Sequence, residues 1–481
     1  MPGKKKTLLL TSLLAVATVA LGVGDPAVAA GVDVTVANAS QFTDASGKAV
    51  QAHGGGVIKV GGYYYLFGED RNADNTFHYV SVYRSKDLKT WQFRRHVLTQ
   101  ATNPELASAN IERPKVIFNS TTGEFVMWMH KENSTDYGEA RAAVATSKTV
   151  DGDYAWQGSF RPLGDQMSRD ITLFKDDDGT AYMISASNEN RDLHVYRLSA
   201  DYKSIDAQVQ NLWVGQSREA PAMFKRNGVY FLLTSGATGW SPNQQKYGTA
   251  TSVTGHWSDL KDVGDSTTFG SQTAYVLPVQ GTASTDYLYL GDRWGNSFGG
   301  MVNDSRYVWL PLAFPTATTL SMEYFPEVAI NAARGTVSGV GGPWETLSAG
   351  HSGKCVDLAD WSTADGAKVD QWGCNWGLNQ QYWFKDTGGG AVQLVNRYSG
   401  KCASVDGAST EDGAKVVQNT CDAASLGQLW KPQSTGTAFT LVASVSGKCL
   451  DVADKSTGDG AALIQWACNG GANQTWTRTT A

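Results

Sequence analysis

Residues 218–236 read REAPAMFKRNGVYFLLTSG, and they predict a pair of antiparallel strands. Two apolar runs flank an Arg-Asn-Gly turn, and Asn and Gly favour the backbone geometry of a tight hairpin. A charged pair, Arg218 and Glu219, stands at the start of the first strand, although that strand has the composition of a buried one. The position of Glu219 therefore needs an explanation beyond strand formation.

Four further stretches repeat this pattern of a polar entry, an apolar strand, a turn and a second strand rich in aromatic residues. They are residues 52–70, 111–131, 169–187 and 271–292. The five units recur about every 50 to 60 residues, which is the size of a propeller blade holding several strands. We therefore predict an all-β fold in which residues 31–333 form a five-bladed β-propeller.

The polar entries of the five units occupy the same position in each unit. They are His53, Glu112, Asp170, Glu219 and Gln272. In a propeller the first strand of each blade lies next to the central channel, so these side chains are expected to converge. One polar residue before a strand is usually only a turn residue, but five in register favour a site. Carboxylates held close together raise one another's pKa, which suits a general acid at neutral pH.

The C-terminal region contains a threefold repeat. The sequence SGKC begins at Ser352, Ser399 and Ser446, and a Gln-x-Trp motif ends each repeat at Trp383, Trp430 and Trp476. Two cysteines with identical spacing in each repeat predict the disulfides Cys355–Cys374, Cys402–Cys421 and Cys449–Cys468. The alternative, a zinc site, fits this spacing poorly because no histidines cluster with the cysteines. We expect three short-stranded units around one core, with each tryptophan as a core plug.

The ends and the composition of the chain indicate an exported protein. Residues 1–30 combine a Lys run, an apolar stretch and an Ala-x-Ala site, which predicts a secretory signal peptide; a membrane anchor is the alternative. Residues 334–343 are Gly-rich and predict a linker to a second domain at 344–481. The net charge of −6, with no basic patch, argues against a nucleic-acid partner. No later apolar run is long enough to cross a membrane, and a monomer is expected.

The threefold repeat resembles the ricin-type β-trefoil of carbohydrate-binding module family 13. This resemblance implies sugar-binding residues in the first and third repeats, namely Asp357, Trp372, Asn379, Asp451, Trp466 and Asn473. The second repeat departs from the pattern, with Ser404, Asn419 and Gly427 at these positions, so a structural role is expected there. The alternative is that the whole trefoil is a spacer.

The propeller region resembles glycoside hydrolase family 43, and within it the exo-β-1,3-galactanases. The resembling stretches include GGYYYLFGED, NIERPKVIFN, SGATGWSPN, SQTAYVLP and GDRWGNS. The resemblance implies that Glu219 is the general acid and that Asp170 tunes its pKa. It also implies that Glu112, Glu69, Tyr137 and Trp240 contact the substrate. No metal or cofactor is expected.

The general base is the point at which the sequence departs from the wider family. Most members have an Asp before a Pro in blade one, whereas the corresponding stretch QAHGGGV has no carboxylate. The resemblance implies that Gln272 holds the attacking water, and we expect it to lie about 6.5–9.5 Å from Glu219, the carboxyl separation of inverting enzymes. Glu112 is the alternative base, and His53 is less favoured.

These residues predict a secreted, extracellular exo-β-1,3-galactanase. It would release galactose, with inversion, from the non-reducing end of β-1,3-galactan, the backbone of arabinogalactan. One alternative is another exo-glycosidase of the same family, an arabinofuranosidase or xylosidase. The other is a non-catalytic carbohydrate-binding protein, which the missing blade-one Asp would favour.

Overall fold

The computed structural model describes residues 1, 3, 31–436 and 438–480. The predicted signal peptide at residues 1–30 lies outside the described residues apart from Met1 and Gly3, and it stays a prediction. Within the part of the chain that is described, no helix is long and apolar enough to span a bilayer.

Five four-stranded antiparallel sheets follow one another along the chain, which confirms the five-bladed propeller. Blade one contains β2 (His53–Val60), β3 (Tyr63–Arg71), β4 (Phe77–Ser85) and β5 (Gln92–Thr99). Blade two contains β6 (Ala109–Asn119), β7 (Glu124–Asn133), β8 (Arg141–Ser147) and β9 (Ala155–Phe160). Blade three contains β10 (Ile171–Lys175), β11 (Ala181–Ser187), β12 (Asp192–Leu198) and β13 (Ile205–Leu212).

The remaining two blades have the same order. Blade four contains β14 (Arg218–Arg226), β15 (Val229–Gly236), β16 (Lys246–Ala250) and β17 (Lys261–Asp262). Blade five contains β18 (Gln272–Gln280), β19 (Thr285–Arg293), β20 (Arg306–Ala313) and β21 (Ser321–Met322). The first strands contact one another in the ring β2–β6–β10–β14–β18–β2, so they surround the central channel as expected.

A β-bulge follows the polar entry in four of the five blades. The bulges lie between His53 and Gly56, Glu112 and Lys115, Glu219 and Ala222, and Thr273 and Tyr275. Three of them contain a residue with positive φ directly after the entry, Gly54 (60°), Arg113 (51°) and Ala220 (52°). A bulge bends a strand and redirects its side chains, so it affects where each entry side chain lies relative to the channel.

The predicted linker is not a free connection. Strand β1 (Val34–Ala37) pairs with β22 (Glu327–Asn331), which pairs with β23 (Thr336–Val340). The Gly-rich composition suggested flexibility, yet Val337 is buried in the same hydrophobic cluster as Val36 and Ile330. The expectation for residues 334–343 was therefore wrong over 336–340, because β23 completes a sheet with the N-terminal strand.

The C-terminal repeats form a trefoil of twelve strands around one core. They are β24 (Trp344–Ala349), β25 (Cys355–Leu358), β26 (Ala367–Trp372), β27 (Tyr382–Gly388), β28 (Ala391–Asn396), β29 (Cys402–Val405), β30 (Val416–Asn419), β31 (Trp430–Ser434), β32 (Phe439–Ala443), β33 (Cys449–Val452), β34 (Ala461–Trp466) and β35 (Trp476–Thr480). The three predicted disulfides are present, each closing a loop with a sequence separation of 19.

Short 3₁₀ helices connect the strands. In chain order they span Pro104–Leu106, Pro162–Gly164, Gly295–Phe298, Val302–Asp304, Ala359–Trp361, Leu378–Gln380, Asp406–Ala408, Leu426–Gln428, Ala453–Lys455 and Ala472–Gln474.

One core plug differs from the prediction. Trp430 and Trp476 are fully buried, but in the first repeat the core position belongs to Tyr382, and Trp383 is only half-buried. The reason is the register of the preceding glutamine. The side-chain oxygen of Gln380 accepts from a backbone N–H as those of its counterparts in the other repeats do. The motif of the first repeat therefore begins at Gln380 and not at Gln381.

This difference predicts unequal costs for two substitutions. Trp430→Ala removes a fully buried indole whose N–H donates to a backbone carbonyl at 3.0 Å, so it should cost about 3–5 kcal/mol of trefoil stability. Trp383→Ala is the matched control and should cost about 1 kcal/mol. Urea unfolding followed by pulse proteolysis measures both variants. Equal losses would contradict the assignment of Tyr382 as the plug.

Candidate active site

A cavity of about 370 Å³ lies at the mouth of the propeller channel, within the size range of small-ligand sites. Every blade contributes at least one acidic or amide side chain to it, including Glu69, Glu112, Asp170, Glu219 and Gln272. Four of the five predicted ring residues therefore line it. The predicted substrate contacts Tyr137 and Trp240 line it as well.

His53 is the ring residue that does not line the cavity. Its side chain is fully buried, lies 2.8 Å from Asp292 through Nδ1 and stacks on Tyr307 with a centroid distance of 4.7 Å. Glu69, its cross-strand partner on β3, takes the blade-one place instead. Since His53 is committed to the core, it is not a candidate base.

Glu219 is buried and hydrogen-bonded through both of its carboxyl oxygens. Its side chain is largely buried, with Oε1 accepting from Gln272 at 2.9 Å and Oε2 from Asn190 at 3.0 Å. Burial and the nearby Asp170 carboxylate raise the pKa of Glu219 to about 8, against the opposing charge of Arg113. At neutral pH the carboxyl group is therefore mostly protonated, as general acid catalysis requires.

Arg113 joins the groups around Glu219, and the sequence analysis missed it. Its Nε lies 2.8 Å from Asp170 Oδ1, while its other guanidinium nitrogens donate to Thr273 O at 2.7 Å and Gln272 Oε1 at 2.6 Å. Asp170 Oδ2 in turn accepts from the backbone N–H of Ala220, the residue after Glu219. The only sequence signal for this role was the position of Arg113 directly after the ring residue Glu112.

Gln272 lies much closer to Glu219 than expected. The expected separation of about 6.5–9.5 Å is wrong, because Nε2 of Gln272 donates directly to Glu219 at 2.9 Å and to Ser235 at 2.9 Å. Its Oε1 accepts from Arg113 and from Trp294 at 2.8 Å, and both of these groups can only donate. All four hydrogen-bonding positions of the amide are thus occupied, and its orientation is fixed.

Glu112 is held as a carboxylate by cationic and hydroxyl partners. Arg71 donates to its Oε1 at 2.9 Å, as does the hydroxyl of Tyr137, and His130 Nδ1 lies 3.2 Å from Oε2. His130 and Arg71 outweigh burial and hold the pKa of Glu112 well below its usual range. Despite burial, the pKa of His130 rises to about 9, because it lies between Glu112 and Glu132.

Glu69 is a second carboxylate that, like Glu112, binds Arg71. It accepts from Arg71 at 2.6 and 3.0 Å and from the backbone N–H of Arg113 at 2.9 Å. Burial and the charge of Glu112 raise its pKa, while Arg71 opposes them. Glu69 and Glu112 thus share the cation of Arg71 on one wall of the cavity.

Two tryptophans form the apolar part of the cavity wall. Trp240 and Trp294 meet edge to face with a centroid distance of 5.3 Å, and both line the cavity. Trp240 was predicted, whereas Trp294 was not singled out within GDRWGNS. An aromatic face beside carboxylates suits a sugar ring, which presents C–H groups on its faces and hydroxyls at its edge.

Glu112, His130 and Asp170 are the described residues that come close to a metal-binding arrangement, with one potential ligand atom each within 4.8 Å of one another. Their charges argue against it. Asp170 is already paired with Arg113, and Glu112 with Arg71. The guanidinium groups of Arg71 and Arg113 would repel a metal ion at this position.

The trefoil contains two equivalent polar sites. Asp357 Oδ2 accepts from Asn379 and Gln380, both at 2.9 Å, and Asp451 repeats this with the corresponding residues of the third repeat, both at 2.8 Å. Burial raises the pKa of Asp357 to about 6. In the described chain the side-chain oxygens of Asn379 and Asn473 are buried without a hydrogen-bond partner, which leaves them available to a ligand hydroxyl.

The predicted aromatic residues lie next to these sites on paired strands. Trp372 ends β26, which pairs with the strand that carries Asp357, and Trp466 ends β34, the equivalent strand of the third repeat. Both indoles are about half exposed, at 47% and 43%. The second repeat has Ser404 in place of the Asp, and its hydroxyl donates to the adjacent Val405 carbonyl.

The acidic cavity on the propeller axis and the paired Asp–Asn sites of the trefoil define a two-domain carbohydrate-active protein. Residues 51–284 match the glycosyl hydrolases family 43 model, and residues 343–476 match the ricin-type β-trefoil lectin domain. The chain belongs to glycosyl hydrolases family 43, with a C-terminal ricin-type trefoil.

Solved structures of similar proteins extend over both domains. An exo-β-1,3-galactanase from Clostridium thermocellum is 46% identical, with a TM-score of 0.66, and the match covers 93% of this chain and 100% of that one. An exo-β-1,3-galactanase from Phanerochaete chrysosporium, solved with galactose, is 30% identical, with a TM-score of 0.62 and 93% of each chain covered.

Curated relatives are more distant. A xylan 1,3-β-xylosidase from Vibrio sp. is 23% identical over 199 residues, which is 37% of this chain. The match covers only 35% of that relative's length.

The pKa of Glu219 predicts the alkaline limit of activity. The protonated form is the active one, so kcat/KM should fall as pH rises through about 8. Asp170→Asn removes the negative neighbour and leaves the charge of Arg113 unpaired. The alkaline fall of the pH profile should therefore move about one unit lower in pH. The pH profile of kcat/KM measures the shift.

Asp177→Asn is the matched control, because Asp177 lies in the β10–β11 turn with its side chain 86% exposed. This variant should leave the alkaline fall of kcat/KM at the wild-type pH. An Asp170→Asn profile that coincides with wild type would contradict the coupling of the two carboxyl groups.

Proposed function

We propose that the protein is an inverting exo-β-1,3-galactanase that releases galactose from the non-reducing end of β-1,3-galactan. The observation that carries the proposal is the buried Glu219 beside Asp170, in a cavity that also holds Glu112, Glu69 and tryptophan faces. The similarity to exo-β-1,3-galactanases over both domains supports the choice of substrate.

In this proposal Glu219 protonates the glycosidic oxygen as the bond to galactose breaks. Gln272 and Asn190 orient the carboxyl group through its two oxygens. Asp170 keeps the proton on Glu219 until substrate arrives, since a second negative charge nearby disfavours ionisation. Negative charge on Glu219 then appears only when the leaving oxygen has been protonated.

Glu112 and Glu69 bind the sugar hydroxyls. An ionised carboxylate accepts strong hydrogen bonds from hydroxyl groups, and the low pKa of Glu112 keeps it in this state over the working pH range. The hydroxyl of Tyr137 and the guanidinium of Arg71 hold Glu112 in place. Trp240 supplies the apolar face for the ring.

The geometry supports activation of the attacking water less strongly than protonation of the leaving oxygen by Glu219. The amide of Gln272 is fully hydrogen-bonded, so in this proposal its first role is to orient Glu219. The transition state is oxocarbenium-like, and water becomes strongly acidic as it bonds to such a carbon. A weak base is then sufficient, and Glu112 or bulk solvent takes the proton.

The trefoil binds sugar through its first and third repeats and keeps the enzyme on the polysaccharide. The paired Asp–Asn arrangements and the half-exposed Trp372 and Trp466 support this assignment. Tethering raises the local concentration of chain ends at the propeller. The disulfides suit an oxidising, extracellular location, in agreement with the predicted signal peptide.

A substrate panel tests the proposal. Wild type should release galactose from β-1,3-galactan and little sugar from arabinan or xylan. Glu219→Gln, which cannot supply the proton, should lower kcat by about 10²–10⁴-fold while the protein still binds galactan. Proton NMR of the first product should detect α-galactose before mutarotation.

The alternatives give different results. Pentose release from xylan or arabinan would favour the alternative specificities within the family. Binding without release from any of the three glycans would favour the non-catalytic alternative. β-Galactose as the first product would contradict inversion.

A further inference from the structure

A segment on blade five with exposed apolar side chains connects two residues of the cavity wall, Trp294 and Arg71. It begins at Trp294, which lines the cavity, and reaches Asn303, whose side chain bonds the backbone of Arg71 on blade one at 2.9 and 3.0 Å. Between these two anchors, Phe298 and Met301 are 45% and 43% exposed. We call residues 294–303 the rim segment.

The rim segment is connected to the first trefoil repeat through Arg306. The guanidinium carbon lies 5.1 Å from the ring centroid of Phe298, and Nη1 donates to Thr363 Oγ1 at 3.0 Å. Trp361, two residues before Thr363, is 44% exposed, and its ring meets Tyr398 edge to face at 5.0 Å. Arg306 therefore contacts both the rim segment and the stretch of the trefoil that follows Trp361.

The first repeat has more exposed aromatic surface than the third. Trp361 and Trp376 are 44% and 53% exposed, whereas Lys455 and Gly470 occupy the equivalent positions of the third repeat. The ring of Trp361 lies so close to Gly377 that a Cβ there would come within 3.0 Å of it. The extra tryptophans thus belong to the repeat that Arg306 contacts.

The loop between β28 and β29, in the second trefoil repeat, also contacts the propeller. Arg397 donates to the carbonyl of Tyr324 at 3.1 Å and lies 3.4 Å from Glu323. Arg293, next to Trp294, lies over the ring of Tyr398 at 5.3 Å. Since Tyr398 also packs against Trp361, it links the strand that ends at Arg293 to the first repeat.

We propose that the rim segment and the first trefoil repeat form one continuous binding surface for the galactan main chain outside the cavity. The inference rests on the proposed function and adds to it the path of the polymer. The chain whose last galactose occupies the cavity leaves over Phe298 and continues to Trp361. The trefoil then acts as an extension of the active site as well as a tether.

The chemistry of the surface matches a neutral polysaccharide. Separate aromatic faces alternate with hydroxyl and guanidinium donors, as a chain of pyranose rings with C–H faces and hydroxyl edges requires. The surface is continuous with the cavity at Trp294, so an occupant of the cavity with further sugar residues must cross it or turn away. A chain of galactose units is therefore the occupant to which we commit.

Kinetics on substrates of different length test the proposal. In wild type, kcat/KM should be higher for β-1,3-galactohexaose than for β-1,3-galactobiose, because only the longer chain reaches Trp361. Phe298→Ala and Trp361→Ala should each lower the hexaose value roughly tenfold, the equivalent of one lost contact of about 1.4 kcal/mol. The loss should appear in KM, with the biose value unchanged.

Two exposed apolar residues provide matched controls. Phe93 on β5 is 41% exposed and Leu426 in the second trefoil repeat is 55% exposed. Phe93→Ala and Leu426→Ala should leave the ratio of hexaose to biose kcat/KM unchanged. Equal ratios in wild type, Phe298→Ala and Trp361→Ala would overturn the proposal.

A binding measurement keeps this test separate from the proposed function. Calorimetric titration of galactohexaose into Glu219→Gln and into its combinations with Phe298→Ala and Trp361→Ala needs no turnover. Weaker hexaose binding in the combined variants supports the surface even if wild type releases no galactose, a result that would refute only the proposed activity. Unchanged affinity refutes the surface.

Discussion

The active site depends on the hydrogen bonds and the ion pair that Arg113 makes. From blade two it contacts Asp170 on blade three and Gln272 and Thr273 on blade five, while its backbone N–H binds Glu69 on blade one. Blade four is joined through the partners of Arg113, because Asp170 and Gln272 bind the segment around Glu219. A buried cation with this many fixed acceptors is strongly favoured in one position, and loss of one partner would leave an uncompensated charge.

This network also decides the protonation of the site. Arg113 alone would favour ionised Glu219, but its charge is largely shared with Asp170 and Glu69. Burial and the charge of Asp170 therefore raise the pKa of Glu219, whereas His130 and Arg71 lower the pKa of Glu112. The pKa values of two glutamates in the same cavity are thus shifted in opposite directions, which is the arrangement that the proposed roles of proton donor and hydroxyl acceptor require.

The sequence was sufficient to predict the fold, because each blade carries its own strand pattern and the positions align in register. It also predicted four of the ring residues. It could not predict that Glu69 replaces His53, since this depends on which face of the β2–β3 pair meets the channel after a bulge. Arg113 and Trp294 were missed for a related reason, because their roles come from contacts between blades that no local pattern records. Tyr382 takes the core position expected for Trp383, because the motif of the first repeat begins at Gln380, one residue earlier than predicted.

The most direct test of this account is the ionisation of Glu219 itself. Carbon-13 NMR of protein labelled at the glutamate carboxyl groups, with Glu219→Gln to identify the resonance, measures its titration in the resting protein. We expect a midpoint at about pH 8, with the carboxyl group protonated at neutral pH. A midpoint near the ordinary glutamate value of about 4.3 would contradict it, because Glu219 would then have no proton to donate.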